Sequence, residues 1–349
     1  MENIQGGKID KNLSKIKVMG FIEQLKEKAR KNRKTIVLPE GMDKRTYEAA
    51  EQIIKEDFAD IIILATKQEF EEFGVGYDVK GATIIDPLTC EKTKKYAEDF
   101  YELRKAKGMT EKQAYAMVIS DHMYFACMMV RNHDADGVVS GACHSSANTL
   151  RPSLQIIKTK PGSKLVSAFF VICVPNKDMG ANGVFVMGDC GLNQNPNPEQ
   201  LADIAASSAE SFEYLVGEKA RVAMLSHSSY GSAAHKDVDK VVEATAIAKK
   251  EYPQFLIDGE LQTDAALVPE IAAFKAPDSP VAGKANVLVF PDLDAGNIGY
   301  KLLQRLGHAE AYGPLCQGIA RPINDLSRGC SAKDIVGVVA ITAVQAQIS

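Results

Sequence analysis

No stretch of this chain holds the roughly 18 consecutive apolar residues that a membrane-spanning helix requires. The polar, lysine-dotted segment from Met1 to Gly20 lacks the apolar core of a secretory signal. Neither a transmembrane span nor a signal is expected, and the cytoplasm is the expected location. Basic excess is missing too. The formal net charge is −4 and the pI about 5.9, which argues against a nucleic-acid-binding surface, since that surface must displace counterions with lysine and arginine. Any anionic ligand has to be met locally. The cysteines, Cys90, Cys127, Cys143, Cys173, Cys190, Cys316 and Cys330, are odd in number and contain no C-x-x-C pair. They give no zinc or disulfide framework and fit reduced thiols.

What is present is an ordinary globular balance, 46% apolar and 25% charged over 349 residues, with a length that suggests two domains. Residues 1–19 lack periodicity and read as a disordered or artificially appended leader. From Phe21 the chain alternates amphipathic helices (one with its apolar face over Phe21–Ala29 and a charged tail at 28–34, then 44–56 and 67–73) with apolar runs (35–39, 61–65, 82–86). Near-continuous Ile/Val runs between amphipathic helices predict a parallel sheet covered on both faces. A long helical region over 93–132 precedes a strand at 137–141, which ends in the small, polar segment 142–149. Ligand loops of open α/β sheets lie at such strand ends. The runs 166–174 and 183–188 lie close together and predict an antiparallel hairpin, placing a boundary near residue 160. Alternation then resumes: helix 198–216, strand 221–226, helix 238–252, strand 255–261, helix 264–274 and strand 285–290. The apolar helix 335–347 is too short to stand alone and is expected to pack back on the first domain. The expected division is therefore 20–160 plus 312–349 for one domain and 161–311 for the other.

The most informative stretch runs from Gly313 to Asp334 and includes Ser327-Arg328-Gly-Cys330-Ser331 just before the last helix. A polar loop at a helix amino end is a natural anion site, because unpaired N–H groups and the positive dipole end point outward. Ser331-Ala-Lys-Asp334 also has the form of a capping box, in which Ser331 caps the helix and Asp334 reaches back. Asp334 thus has two readings, cap and catalytic carboxylate. Guanidinium groups suit bidentate phosphate recognition, which singles out Arg104, Arg151 and Arg328. Arg104 could equally be a solvated helix charge beside Glu102 and Lys105. The His/Ser mixtures 140–146 and 226–232 read as ligand-binding or capping hydroxyls before nucleophile and base. Asp258, Glu260, Asp264, Asp292 and Asp294 lack the spacing of a metal site. Gly180-Ala-Asn-Gly183 reads as a turn and not as a dinucleotide loop.

These residues resemble a known family. Val37-Leu-Pro-Glu-Gly41, Tyr101-Glu-Leu-Arg104, Asp136-Gly-Val-Val-Ser-Gly-Ala142, Asn148-Thr-Leu-Arg-Pro152, Asp189-Cys190, the segment 290–297 and above all Gly318 to Cys330 are similar to segments of the phosphate acetyltransferases, or phosphotransacetylases, of the phosphate acetyl/butyryltransferase family. The resemblance implies an α/β fold of two three-layer domains separated by a cleft, like isocitrate/isopropylmalate dehydrogenase, assembled as a homodimer. It implies coenzyme A, acetyl phosphate and phosphate as small-molecule partners, with coenzyme A a substrate and no permanently bound cofactor, metal, nucleic acid or membrane. By the same resemblance Asp334 deprotonates the coenzyme A thiol, Ser327 and Arg328 orient the acetyl carbonyl and stabilise its charge, and Arg104 and Arg151 hold the phosphate. Transfer would be direct, in a ternary complex. The alternatives are a route through an acyl-cysteine at Cys330 or Cys316, a longer-chain acyltransferase such as a phosphate butyryltransferase, a decarboxylating dehydrogenase on the same fold, and a noncatalytic binding module.

Overall fold

The computed structural model describes residues 19–348. The leader expected over residues 1–19 lies outside them apart from Met19. In chain order the elements are α1 (Phe21–Lys31), β1 (Thr35–Leu38), α2 (Lys44–Glu56), β2 (Asp60–Leu64), α3 (Lys67–Glu69), β3 (Thr83–Ile85), α4 (Thr93–Arg104), α5 (Glu111–Ser120), α6 (His122–Arg131), β4 (Gly137–Ser140) and α7 (Ser146–Ile156). There follow β5 (Ser167–Cys173), β6 (Val184–Gly188), α8 (Pro198–Val216), β7 (Arg221–Leu225), α9 (Lys236–Glu251), β8 (Leu256–Leu261), α10 (Thr263–Leu267), α11 (Pro269–Lys275), β9 (Val287–Val289), α12 (Leu293–Arg305), β10 (Glu310–Gln317), β11 (Ile323–Asp325) and α13 (Ala332–Gln345).

The first sheet has the order β11-β4-β1-β2-β3, with every neighbouring pair parallel. β1 and β2 are apolar on both faces because both are covered. Ile36, Leu38, Ile61, Ile63 and Val139 join a core that includes α13. Val37, Ile62, Leu64, Val138 and Ile323 point the other way, into a core built on α6. The second sheet has the order β10-β5-β6-β9-β7-β8. There β5 pairs antiparallel with β10 and β6, and the rest is parallel.

Two crossings join the sheets, and they touch: Lys160 donates its N–H to the Gly318 carbonyl at 2.8 Å, and Thr159 bridges Ile319. The return expected at residue 312 falls inside β10, which stays paired to β5 through Gln317 opposite Ser167. Residues 310–317 thus belong to the second sheet. Once back, α13 packs against α1, α2 and β4.

The helical region 93–132 is three helices. Gly108, at φ 86°, ends the turn that closes α4, and Asp121 both ends α5 and caps α6, accepting the Met123 N–H at 2.9 Å. The expected helix 264–274 is divided at Val268-Pro269, where α11 starts with its proline in the first turn.

Candidate active site

Three adjacent strands of the first sheet end together. Val37 of β1 pairs with Val138 of β4, and Ile323 of β11 pairs with the same Val138, so the segments that follow these strands meet at one edge. They are Pro39–Glu40 after β1, Gly141–Ser145 after β4 and Leu326–Ser331 after β11. The carboxyl edge of a parallel sheet is where such folds place ligands.

Glu40 organises this edge. Its side chain is 2% exposed and accepts the N–H groups of Gly141 at 3.0 Å, Ala142 at 2.9 Å, Cys143 at 3.0 Å and His144 at 3.2 Å. His144 Nδ1 lies 2.7 Å from its Oε1. Burial alone would raise the carboxyl pKa, but the bonds from His144, Cys143 and Ala142 prevail and hold it down at about 2. The same bond raises the His144 pKa. Glu40, Cys143 and His144 place one ligand atom each within 4.8 Å of one another, yet Glu40 spends both oxygens on the loop. Nothing in the sequence gave Glu40 a role. Its signals were an acid placed directly after a buried strand and its place in the family-like segment Val37–Gly41.

Arg45, at the start of α2, ties the second and third of these segments together. Its Nη1 donates to the carbonyls of Arg328 at 3.0 Å and Cys330 at 2.9 Å, and its Nη2 to that of Ala142 at 2.8 Å. Asp43, the cap of α2, pairs with Nη2 at 2.6 Å.

Asp334 and Ser331 form the capping box read from the sequence. Asp334 Oδ2 accepts from Ser331 N at 2.8 Å and from Ser331 Oγ at 2.9 Å. Oδ1 takes no part in the box. Asp334 and Ser327 line one pocket, closed on its far side by Phe170 and Gly313 of the second sheet and by Tyr300, Gln304 and Arg305 of α12. Phe170 and Tyr300 stack with centroids 3.9 Å apart. Sequence reasoning missed α12 and so missed Arg305. Gly296 and Gly299 weaken the helical signal there, yet a Cβ at Gly296 would collide with the Asp189 carbonyl.

The arginines fall in two places. Arg328 sits on the loop between Ser327 and Asp334 with its side chain exposed. Arg104, at the end of α4, has a buried Nε without a hydrogen-bond partner, while its neighbours Glu102 and Lys105 pair with each other at 2.5 Å. It lines a depression with Lys107, Met109 and Met117. Arg151 is exposed on α7, and both Arg104 and Arg151 act electrostatically on Tyr124 of α6. Both therefore lie within electrostatic reach of that phenol.

Several of the remaining candidates make structural contacts. Ser145 caps α7 and Asp292 caps α12. Ser228 donates to Glu260 at 2.9 Å. Asp258 takes the Tyr230 hydroxyl and Lys249, each at 2.5 Å, and Asp264 pairs with Lys275 at 2.7 Å. Burial pushes the Cys330 thiol up to about 11, against the opposing pull of Arg45, and drives the fully buried Cys316 higher still. A raised thiol pKa disfavours the thiolate that a nucleophile needs. Cys330→Ala is expected to leave steady-state turnover largely intact; loss of turnover in the folded variant would restore the acyl-cysteine route.

Residues 20–343 match the family described as phosphate acetyl/butaryl transferase. A phosphate acetyltransferase of Acetivibrio thermocellus is 57% identical over 329 residues, 94% of this chain and 99% of that protein. One from Thermoanaerobacterium thermosaccharolyticum is also 57% identical, over 94% of this chain and 100% of its own. Among solved structures, a phosphotransacetylase from Streptococcus pyogenes superposes with a TM-score of 0.87 at 45% identity, covering 94% of this chain and 98% of the other.

Proposed function

The chain belongs to the phosphate acetyl/butaryl transferase family, and on that premise we infer that it is a phosphate acetyltransferase, moving an acetyl group reversibly between coenzyme A and inorganic phosphate. The observation that carries this reading is the pocket shared by Ser327 and Asp334, in a chain whose close relatives are phosphate acetyltransferases along nearly their whole length.

In the proposed reaction Asp334 accepts the thiol proton of coenzyme A through Oδ1. Loss of that proton to a carboxylate runs uphill on its own, so the transfer is concerted with attack. The sulfur bonds to the carbonyl carbon of acetyl phosphate, and the carbonyl becomes a tetrahedral oxyanion. Ser327 and Arg328 orient this oxygen and stabilise its charge. The carbon–oxygen bond to phosphate then breaks, and phosphate leaves with the electron pair. Arg104 and Arg151 hold the phosphate, and positioning supplies much of the remaining rate.

Coenzyme A enters as a substrate, and no permanently bound cofactor is proposed. We further propose a cytoplasmic homodimer with domains over 20–160 plus 318–349 and over 161–317. Among the described residues no helix is long and apolar enough to cross a membrane. Exposed Ile298, Leu302 and Leu306 repeat at helical spacing along α12 and its end, which supports the dimer.

The test is acetyl-CoA formation from acetyl phosphate and coenzyme A, followed by absorbance with and without a chelator, and repeated with butyryl phosphate. Chelator-insensitive turnover that favours the acetyl substrate is expected. Absence of turnover with both would remove the reading, and a preference for butyryl phosphate would change the acyl chain. Arg151→Ala is expected to raise the KM for acetyl phosphate about 10- to 100-fold, the loss of a charge-assisted hydrogen bond worth about 1.5–3 kcal/mol, with a smaller change in kcat. An unaltered KM would detach Arg151 from the phosphate.

A further inference from the structure

Asp325 ends β11, two residues before Ser327, and has no part in the chemistry above. It is 1% exposed, and neither carboxyl oxygen has a hydrogen-bond partner. Two more buried hydroxyl oxygens, Ser140 Oγ and Thr149 Oγ1, are likewise without partners. They are its neighbours. Ser140 is the register partner of Asp325 across β4 and β11, and register partners in a sheet point to the same face. Thr149 and Ser146, in the first turns of α7, act on the carboxyl group, as does the Leu326 N–H. Gly141 closes over it at φ 116°, and a Cβ there would strike Asp325 Oδ1 and the backbone of Leu326.

A buried carboxyl without a well-formed hydrogen bond opposes folding, because it gives up hydration and regains only part of it from nearby donors. Such a group in a native protein asks for another explanation. This one stands where three parts of the site converge: the strand end that delivers Ser327 and Arg328, the loop that Glu40 holds, and the amino end of α7, which carries Arg151. Burial raises its pKa to about 6, against the lowering by the Ser146 and Thr149 hydroxyls and the Leu326 N–H.

We propose that Asp325 is a positioning residue for acyl transfer, its carboxyl setting the spacing between the segment that carries Ser327 and the amino end of α7. The proposal rests on the phosphate acetyltransferase reading. Its mark is an opposition between stability and rate: a merely structural carboxyl would lower both when replaced, and a merely tolerated one would change only stability.

The experiment compares wild type, Asp325→Asn and Thr149→Val for thermal unfolding midpoint and for kcat and KM with both substrates. Wild-type turnover is measured first; its absence would defeat the functional reading, and this proposal with it. Given turnover, Asp325→Asn, of equal shape and without charge, is expected to unfold at or above the wild-type temperature while kcat falls at least about tenfold and the coenzyme A KM stays within about twofold. A wild-type kcat in that variant would overturn the proposal, as would a fall in kcat matched by lost folded protein. Should Asp325→Asn not fold, Thr149→Val carries the test, with an expected fall in kcat of about threefold or more at unchanged secondary structure; an unaltered kcat there would equally overturn it.

Discussion

Asp334→Asn is expected to lower kcat by about 10²- to 10⁴-fold, the contribution of a positioned general base, while KM for both substrates changes by less than about threefold. The separation follows from how the carboxylate is divided. Oδ2 holds the capping box with Ser331, and an asparagine oxygen can still accept the Ser331 N–H, so α13 should start as before. What the amide cannot do is take a proton at the position of Oδ1. Stability is therefore expected to change by no more than about 1 kcal/mol, the usual scale of a cap. Ser331→Ala supplies the opposite case. It removes the cap hydroxyl and is expected to cost about 1 kcal/mol, yet it leaves the carboxylate in the pocket and most of kcat intact. Steady-state kinetics with urea unfolding of both variants checks the division. Equal, small effects on kcat would leave Asp334 as a helix cap alone, and the thiol would need another base.

Much of the scaffold was legible because periodicity reports burial. The runs at 36–39 and 61–65 are apolar at every position, since alternate residues enter two different cores, and α2 and α8 were legible to the residue from their amphipathic pattern. Helix α7 was not. Its first turns are serine, alanine, asparagine and threonine, and Pro152 stands inside it, so every local signal reads as a loop. The helix forms because Leu150 and Ile156 pack into the core and Ser145 caps its start. The same limit applies at the site. Ser327 and Asp334 are close in sequence and could be paired on the page. Arg45 and Glu40 act through backbone groups up to 285 residues away, and no local pattern encodes a carbonyl or N–H that arrives from another strand. Arg305 was hidden for a third reason, in a helix whose glycines answer to close packing.

Glu40→Gln is expected to cost about 3 kcal/mol of stability at pH 7, with a fall in activity alongside. The magnitude follows from the carboxyl pKa, about 2 in the folded protein against a reference of 4.5, at about 1.4 kcal/mol for each pKa unit. Because the folded value is the lower one, this stability is present in full above pH 4.5 and is lost as pH falls toward about 2. Glutamine has no charge to lose, so the difference between wild type and variant should narrow over that window and be widest above it. His144 is the other side of the same bond. Its raised pKa contributes below the free imidazole value and is lost as pH rises through the folded one, and it is not counted a second time. Urea unfolding of both proteins between pH 3 and 7 checks the slope; parallel stability curves would mean that the charge of Glu40 does not hold the loop. Activity should follow because the loop is not isolated. Its Ala142 carbonyl is held by Arg45, which also holds the carbonyls of Arg328 and Cys330. Releasing the 141–144 turn therefore loosens the segment between Ser327 and Asp334, and an acyl-transfer geometry fixed by that segment loses rate even where the protein stays folded.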